Sequence, residues 1–313
     1  MSRYLNVGIL QMPVSLSLEE NQKYIAARLE SMMNGYHKPE LVVGVEWGSA
    51  VAGAVGPIPG PASDYFADLA RQYGIYLIPG TLNETSPELP AGKTYKSAPI
   101  YGPDGRLIDV YRKMAPYRPA EPAAPGRRYV VFDIPEKQAK IGVQICYDLN
   151  FPEISRNETL MGAEVLVKLT MDPSELYQIN KPLHFARAIE NQAYLVSTNG
   201  VGLFGSFHLY GDSLVIDPEG HLLWEGGDQA AIATVTLDLD RVSQVRQHGS
   251  LMMDHYLQHL RDFAFPEPYA GHVADAPVFR TLQPTPPDVP AYDADMRTLG
   301  IGAPVRAPGQ AEK

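Results

Sequence analysis

The sequence predicts an α/β protein of two stacked sheets flanked by helices, and three observations carry that expectation. Strand-like and helix-like apolar patterns alternate through residues 5–79, the rhythm of layered α/β folds. Several strand candidates are near-continuous apolar runs, as expected where both faces are covered. Each half of the chain then adds a hairpin, around residues 98–111 and 211–224, so the halves echo one another within one domain.

In order, residues 5–10 (L-N-V-G-I-L) alternate apolar and small side chains and read as the first strand. Residues 17–33 carry a helical period, opened by Ser17 with Glu20 at capping-box spacing. The run 41–45 (L-V-V-G-V) is a buried strand ending at Glu46-Trp47, and the Gly- and Pro-rich residues 53–61 are loop. A helix at 62–73 and a strand at 75–79 follow. Residues 98–101 and 107–111 flank the turn G-P-D-G-R, with Lys113 just beyond. Pro116, Pro119, Pro122 and Pro125 make 114–126 a stiff, non-helical loop. After the cysteine strand the pattern predicts a helix at 154–161, a strand at 165–169, a turn at 170–173 and a helix at 176–192. A strand at 194–199, a hairpin at 211–217 and 222–224, a strand at 231–237 and a helix at 239–247 complete the body.

From residue 263 prolines punctuate a segment with little periodicity. Phe265, Tyr269, Val278, Phe279, Leu282, Tyr292 and Leu299 make it too apolar for a purely solvated tail. The expected division is therefore a body at 1–262 and an extended, Pro-rich arm at 263–313 packed on the body or on a neighbouring subunit.

Composition excludes several classes. The 313 residues are 45% hydrophobic and 20% charged, with a formal charge of −10. No apolar run approaches a membrane span, no leader pattern precedes the first strand, and no basic cluster suggests a nucleic-acid face. The single cysteine cannot form an intrachain disulfide, so the expected compartment is the cytoplasm. The eight histidines form no H-E-x-x-H motif and have no second cysteine to join them, and neither a metal nor another cofactor is expected.

Residues 140–153 (K-I-G-V-Q-I-C-Y-D-L-N-F-P-E) organise the rest. Ile141, Val143 and Ile145 form one face of a buried strand, which leaves through Cys146-Tyr147-Asp148. A nucleophile at a strand exit, followed by a turn and a helix, follows the logic of a nucleophile elbow, although G-x-S-x-G is absent. The alternative is a cysteine buried as a small hydrophobe. Glu46 and Lys113 likewise stand just past apolar runs, where layered α/β folds gather their sites.

Together V-V-G-V-E-W around Glu46, D-V-Y-R-K around Lys113 and C-Y-D-L-N-F-P-E around Cys146 resemble the nitrilase superfamily of carbon–nitrogen hydrolases. D-G-R-L before the lysine, Glu121, Pro125-Gly126, R-A-I-E-N at 187–191 and D-P-E-G at 217–220 are similar too, so the resemblance spans roughly residues 5–245. It implies a four-layer αββα sandwich. It also implies that Glu46 is the general base, that Cys146 attacks a carbonyl to give a thioester, and that Lys113 with the Tyr147 backbone N–H meets the oxyanion. Glu121 would position substrate and move protons. Arg187 and Glu190 read instead as a surface or structural helix pair.

The cysteine context C-x-D-x-x-F-P-E resembles the amidase-like branch, which implies hydrolysis of a small amide to a carboxylate and ammonia or amine. N-carbamoyl hydrolysis is the alternative; the pair Tyr147-Asp148 speaks against nitriles, and the intact triad against a non-catalytic binder. No segment is long enough for a synthetase that would use released ammonia. Trp47, Tyr147, Met171 and Asp172 are the expected substrate-binding residues; the resemblance implies that residues 170–173 form a pocket loop, here without the family's frequent aromatic side chain. The resemblance also implies a homo-oligomer paired through the helices at 154–161 and 176–192.

Overall fold

The structure, a computed structural model, describes residues 3–48, 55–250, 252–266, 272–280 and 282–300. The first half holds β1 (Tyr4–Gln11), α1 (Leu18–Met33), β2 (Leu41–Val43), β3 (Val55–Gly56), α2 (Pro61–Tyr73), β4 (Tyr76–Ile78), β5 (Leu82–Glu84), β6 (Tyr95–Tyr101) and β7 (Leu107–Arg112). The second holds β8 (Val131–Ile134), β9 (Ala139–Ile145), α3 (Pro152–Leu160), β10 (Val165–Thr170), α4 (Tyr177–Asn191) and β11 (Tyr194–Asn199). There follow β12 (Val201–Phe204), β13 (Phe207–Tyr210), β14 (Leu214–Ile216), β15 (Leu222–Glu225), β16 (Ala231–Asp238), α5 (Leu239–His248), α6 (Tyr256–Phe263) and α7 (Val289–Leu299).

Among the described residues, eight strands form one sheet, ordered β16-β1-β2-β4-β6-β5-β3 with β7 on β6. Six form the second, ordered β15-β14-β11-β10-β9-β8. Period-two patterning decides how they stack. Leu5, Val7 and Ile9 of β1 share one buried cluster with Ile141, Val143 and Ile145 of β9 and Val165, Val167 and Leu169 of β10. Their neighbours turn the other way: Leu10, Val42 and Leu77 pack on Ile25 and Leu29 of α1 and Phe66 of α2. Leu166 and Leu195 pack on Ala188 of α4. The order is helix, sheet, sheet, helix, the αββα sandwich that the sequence predicted. Each fully buried side chain is worth roughly 1.5–3 kcal/mol over exposure, whereas a surface pair such as Lys23–Glu19 adds little.

Local signals hold where they were strong. The Ser17 side chain caps α1 by accepting from the Glu20 N–H at 3.3 Å, and Gly74 closes α2 at φ 63°. The differences are short or irregular pieces. The strand read at 41–45 stops at Val43, and that at 211–217 shrinks to Leu214–Ile216. Val55–Gly56, read as loop, pairs with β5, and Pro61 begins α2. β5, β8, β12, β13 and α6 were not anticipated.

The arm also contains regular structure. Asp288 accepts from the Ala291 N–H and starts α7, with Pro290 tolerated in its first turn. Ala276 and Val289 are buried, Tyr292 is half-buried, and Phe265, Val278, Phe279 and Leu299 are exposed on this chain. Leu160, Met161 and Ile179, on or beside the helices expected to pair subunits, are exposed as well. Tyr269 and residues 301–313 lie outside the described residues.

α3 docks on β9 through a polar contact inside the protein. A Cβ at Gly142 would sit 2.8 Å from Glu158 Oε2, so the glycine lets helix and strand approach. Gln144 Nε2 donates to that oxygen at 2.8 Å, while Glu158 Oε1 has no hydrogen-bond partner among the described residues. Burial, with the neighbouring Asp148 adding to it, pushes the Glu158 carboxyl well above its ordinary range. The folded protein thus holds a proton that the unfolded chain releases, and stability falls as pH rises toward the folded value. Glu158→Gln removes that dependence and keeps an acceptor for Gln144. Its advantage over wild type in urea unfolding should grow as pH rises above the ordinary glutamate range, by up to about 1.4 kcal/mol per pH unit. An advantage that stays flat contradicts this.

Candidate active site

Three strand exits bring the ionisable groups together. After β2 the Gly44 N–H donates to Ile78 O at 2.8 Å, and a Cβ on Gly44 would lie 2.1 Å from Pro79 O. The chain then turns at Trp47, φ 60°, whose N–H donates to Thr81 Oγ1 at 2.8 Å. This leaves Glu46 pointing into the protein, 4% exposed. At the end of β7 the Lys113 N–H donates to Lys96 O, and the returning loop donates from the Gly126 N–H to Lys113 O, both at 2.8 Å. At the end of β9, Cys146 takes φ 51° and opens a 3-10 turn, Cys146–Asn150. A left-handed conformation at a non-glycine residue is strained and is retained where surrounding structure imposes it. The elbow inferred from the motif is present.

Asp148 imposes it. Its Oδ2 accepts from Tyr111 Oη at 2.7 Å and the Ile145 N–H at 3.0 Å, and its Oδ1 accepts from the Ala115 N–H at 2.7 Å. One fully buried carboxyl thereby joins the cysteine turn to the segment just after Lys113. Burial raises it to about 6.

Lys113 is the hub. Its Nζ lies 2.9 Å from Glu46 Oε1 and 2.8 Å from Glu121 Oε2, all three groups being buried or nearly so. Burial opposes its charge, but Glu46 and Glu121 outweigh that and hold Lys113 well above the ordinary lysine range. Burial likewise opposes ionisation of Glu121, yet Lys113 and Lys96 bring it down to about 2. The thiol behaves oppositely. Burial first, then Glu46 and Asp172, push Cys146 well above its usual value despite Lys113 and Lys168. It rests as a neutral thiol and needs a base in order to attack.

Comparison with known proteins accords with this geometry. The carbon-nitrogen hydrolase family model matches residues 7–247. The chain belongs to that family. It is 31% identical over 205 residues to the omega-amidase NIT3 of Saccharomyces cerevisiae, covering 60% of this chain and 68% of that one. The solved structure of Saccharomyces cerevisiae Nit3, of the nitrilase superfamily, superposes with a TM-score of 0.72 at 27% identity, covering 79% of this chain and 94% of that one. A CN-hydrolase superfamily protein from Xanthomonas campestris, with an arsenic adduct in its active site, gives a TM-score of 0.71 at 25% identity, covering 80% and 97%.

In this carbon–nitrogen hydrolase the four expected pocket residues have different surroundings. Tyr147 is half-buried between Tyr117 and Phe151, with ring centroids at 5.1 and 5.2 Å. Trp47 packs edge-on to Phe204 at 5.9 Å, and Met171 is half-buried beside the cluster that holds Leu209. Asp172 is buried and accepts from the Cys146 thiol at 3.4 Å. Arg187 is not at the surface: it is buried, and its Nε donates to Leu149 O in the cysteine turn at 2.9 Å, with Glu190 at 2.7 Å.

Sequence reading missed Lys96, Lys168 and His184. β6–β7 pairing sets Ser97 opposite Arg112, so Lys96 faces Lys113 across the ladder. Lys96 Nζ lies 3.6 Å from Glu121 Oε1 and 3.2 Å from the Trp47 ring centroid. Burial lowers it to about 8. A lysine inside a strand was the available signal in both K-S-A-P-I-Y and V-L-V-K-L-T. Asp217, Glu219 and His221 form a metal-sized group on the hairpin turn, but Asp217 already accepts from the Glu219 and His221 N–H groups.

Asp148→Asn places an NH₂ against N–H donors whichever way the amide turns. It should cost about 1–3 kcal/mol in urea unfolding and lower kcat more than KM. Tyr111→Phe, which loses one of three donors, should do less on both counts. Equal effects from the two variants contradict the clamp role.

Proposed function

We propose that this chain, a hydrolase of carbon–nitrogen bonds other than peptide bonds, cleaves a small amide to a carboxylate and ammonia or amine through a thioester on Cys146. The observation that carries the reading is Lys113 held between Glu46 and Glu121 beside the chain's only cysteine.

Glu46 takes the thiol proton as sulfur attacks the carbonyl carbon. The carbonyl π pair moves onto oxygen, where the Lys113 ammonium and the Tyr147 backbone N–H meet the new charge. Collapse of the tetrahedral centre breaks the C–N bond, and the leaving nitrogen takes the proton from Glu46. Water then attacks the thioester, giving its proton to Glu46. The second collapse breaks the C–S bond, returns that proton to sulfur and releases the acid. Glu121, ionised by two lysines, holds Lys113 in place and offers Oε1 to the substrate NH₂.

Ammonia release from a panel of small amides, N-carbamoyl compounds and nitriles tests the reading. Cys146→Ala should abolish turnover with the fold intact. Glu46→Gln and Lys113→Ala should each lower kcat at least about 10²-fold, and the double variant should be little worse than either, because the groups act as one unit. Residual turnover in Cys146→Ala, or additive losses, would overturn the mechanism.

A further inference from the structure

Behind the nucleophile lies a second buried ionic cluster that this mechanism leaves unused. Lys168 Nζ lies 2.8 Å from Asp172 Oδ2, and the two side chains are 1% and 2% exposed. Lys168 Nζ is also 3.2 Å from His184 Nε2. The His184 ring donates from Nδ1 to Asn180 O at 2.8 Å, so Nε2 keeps its lone pair for Lys168 and for the Ser197 hydroxyl at 3.0 Å. Burial, then Lys168, bring His184 down to about 3, and it is neutral. Asn199 Oδ1 accepts from the Asp172 N–H at 2.8 Å and fixes the backbone. Although burial opposes it, Lys168 holds Asp172 ionised at about 2.

This leaves Asp172 Oδ1 facing the reaction. Tyr210 Oη and Lys168 serve Oδ2, whereas Oδ1 accepts from the Cys146 thiol at 3.4 Å. When Glu46 removes the thiol proton, Oδ1 loses that donor and confronts a thiolate. An apolar acyl group there would offer this buried carboxylate no donor in place of the lost one, a costly arrangement. A donor on the substrate would replace the lost hydrogen bond and ease the repulsion as the thiolate forms. The donor should be neutral, because Lys168 already matches the Asp172 charge and Lys113 stands across the thiol. At 3.4 Å from the sulfur, Oδ1 reaches substituents on the first carbons beyond the carbonyl.

Building on the amidohydrolase reading, we propose that Asp172 selects amides whose acyl part carries a neutral hydrogen-bond donor, such as a hydroxyl, close to the carbonyl. Lys168, His184 and Asn199 are its positioning residues. The substrate class is therefore hydroxy-acid amides rather than plain aliphatic ones.

The test compares lactamide with isobutyramide, its methyl isostere, on the full-length protein. Wild type should favour lactamide by about 10-fold or more in kcat/KM, with kcat itself raised. Asp172→Asn should bring the two amides to near parity. Iodoacetamide alkylation of Cys146 against pH supplies a readout independent of turnover. The charged and titratable groups around the thiol are Glu46, Lys113, Asp172, Lys168, Tyr117 and Tyr210. Removing the Asp172 charge should lower the alkylation midpoint by about one pH unit or more. If the lone Lys168 ammonium prevents that variant from folding, the double variant Asp172→Asn with Lys168→Met keeps the cluster neutral and should show the same loss of preference. Isobutyramide handled as well as lactamide by wild type overturns the proposal. Turnover of neither amide overturns the amidohydrolase reading, and an unchanged alkylation midpoint then overturns Asp172's place at the thiol as well.

Discussion

The Lys113 ammonium, held between Glu46 and Glu121 away from water, is the interaction on which the site depends. A buried ammonium is strongly unfavourable unless carboxylates surround it, so three separate segments must arrive correctly for it to exist. Glu46 and Lys113 come from exits of the eight-stranded sheet, and Glu121 from the proline-rich loop that returns past Lys113. Cys146 and Asp172 come from the other sheet. The site is completed only when the sheets stack, and what stacks them is the shared apolar core of β1, β2, β9 and β10. Core packing and chemistry are therefore coupled through the sandwich itself.

The electrostatics divide the labour. Lysines hold Glu121 and Asp172 ionised, while burial and the facing carboxylates keep the thiol protonated. Two carboxylates, Glu46 and Asp172, and two ammonium groups, Lys113 and Lys168, act on the one neutral sulfur. Such a site activates its nucleophile only by moving a proton between its own groups, which makes the titrations properties of the set rather than of single residues. Strain at Trp47 and Cys146, next to Glu46 and at the thiol itself, marks where the backbone is bent to aim these groups.

Much of this was legible in the sequence because it is local. Alternation in I-G-V-Q-I gave the inner face of β9, and the capped helix at Ser17 and the first hairpin followed from short-range signals. The grouping of Glu46, Lys113 and Cys146 was legible because each ends an apolar run. Lys96 was not, since only the β6–β7 register brings it beside Lys113. Lys168 looked like one polar residue in a strand, and its partner His184 is sixteen positions away on α4. Arg187 read as a surface or structural residue, and spacing alone could not decide between them by revealing that its helix covers the cysteine turn. In the arm, frequent prolines hid α7, whose cap at Asp288 is an ordinary start signal.

The central claim is a covalent thioester on Cys146, formed at a base–ammonium pair contributed by the opposite sheet. Intact-mass spectrometry after rapid acid quench, on protein turning over a small amide, tests it most directly. The account predicts a transient mass increase equal to the substrate minus ammonia, localised to the peptide that contains Cys146 and absent from Cys146→Ala. Sustained ammonia release with no adduct, or an adduct on another residue, would contradict it.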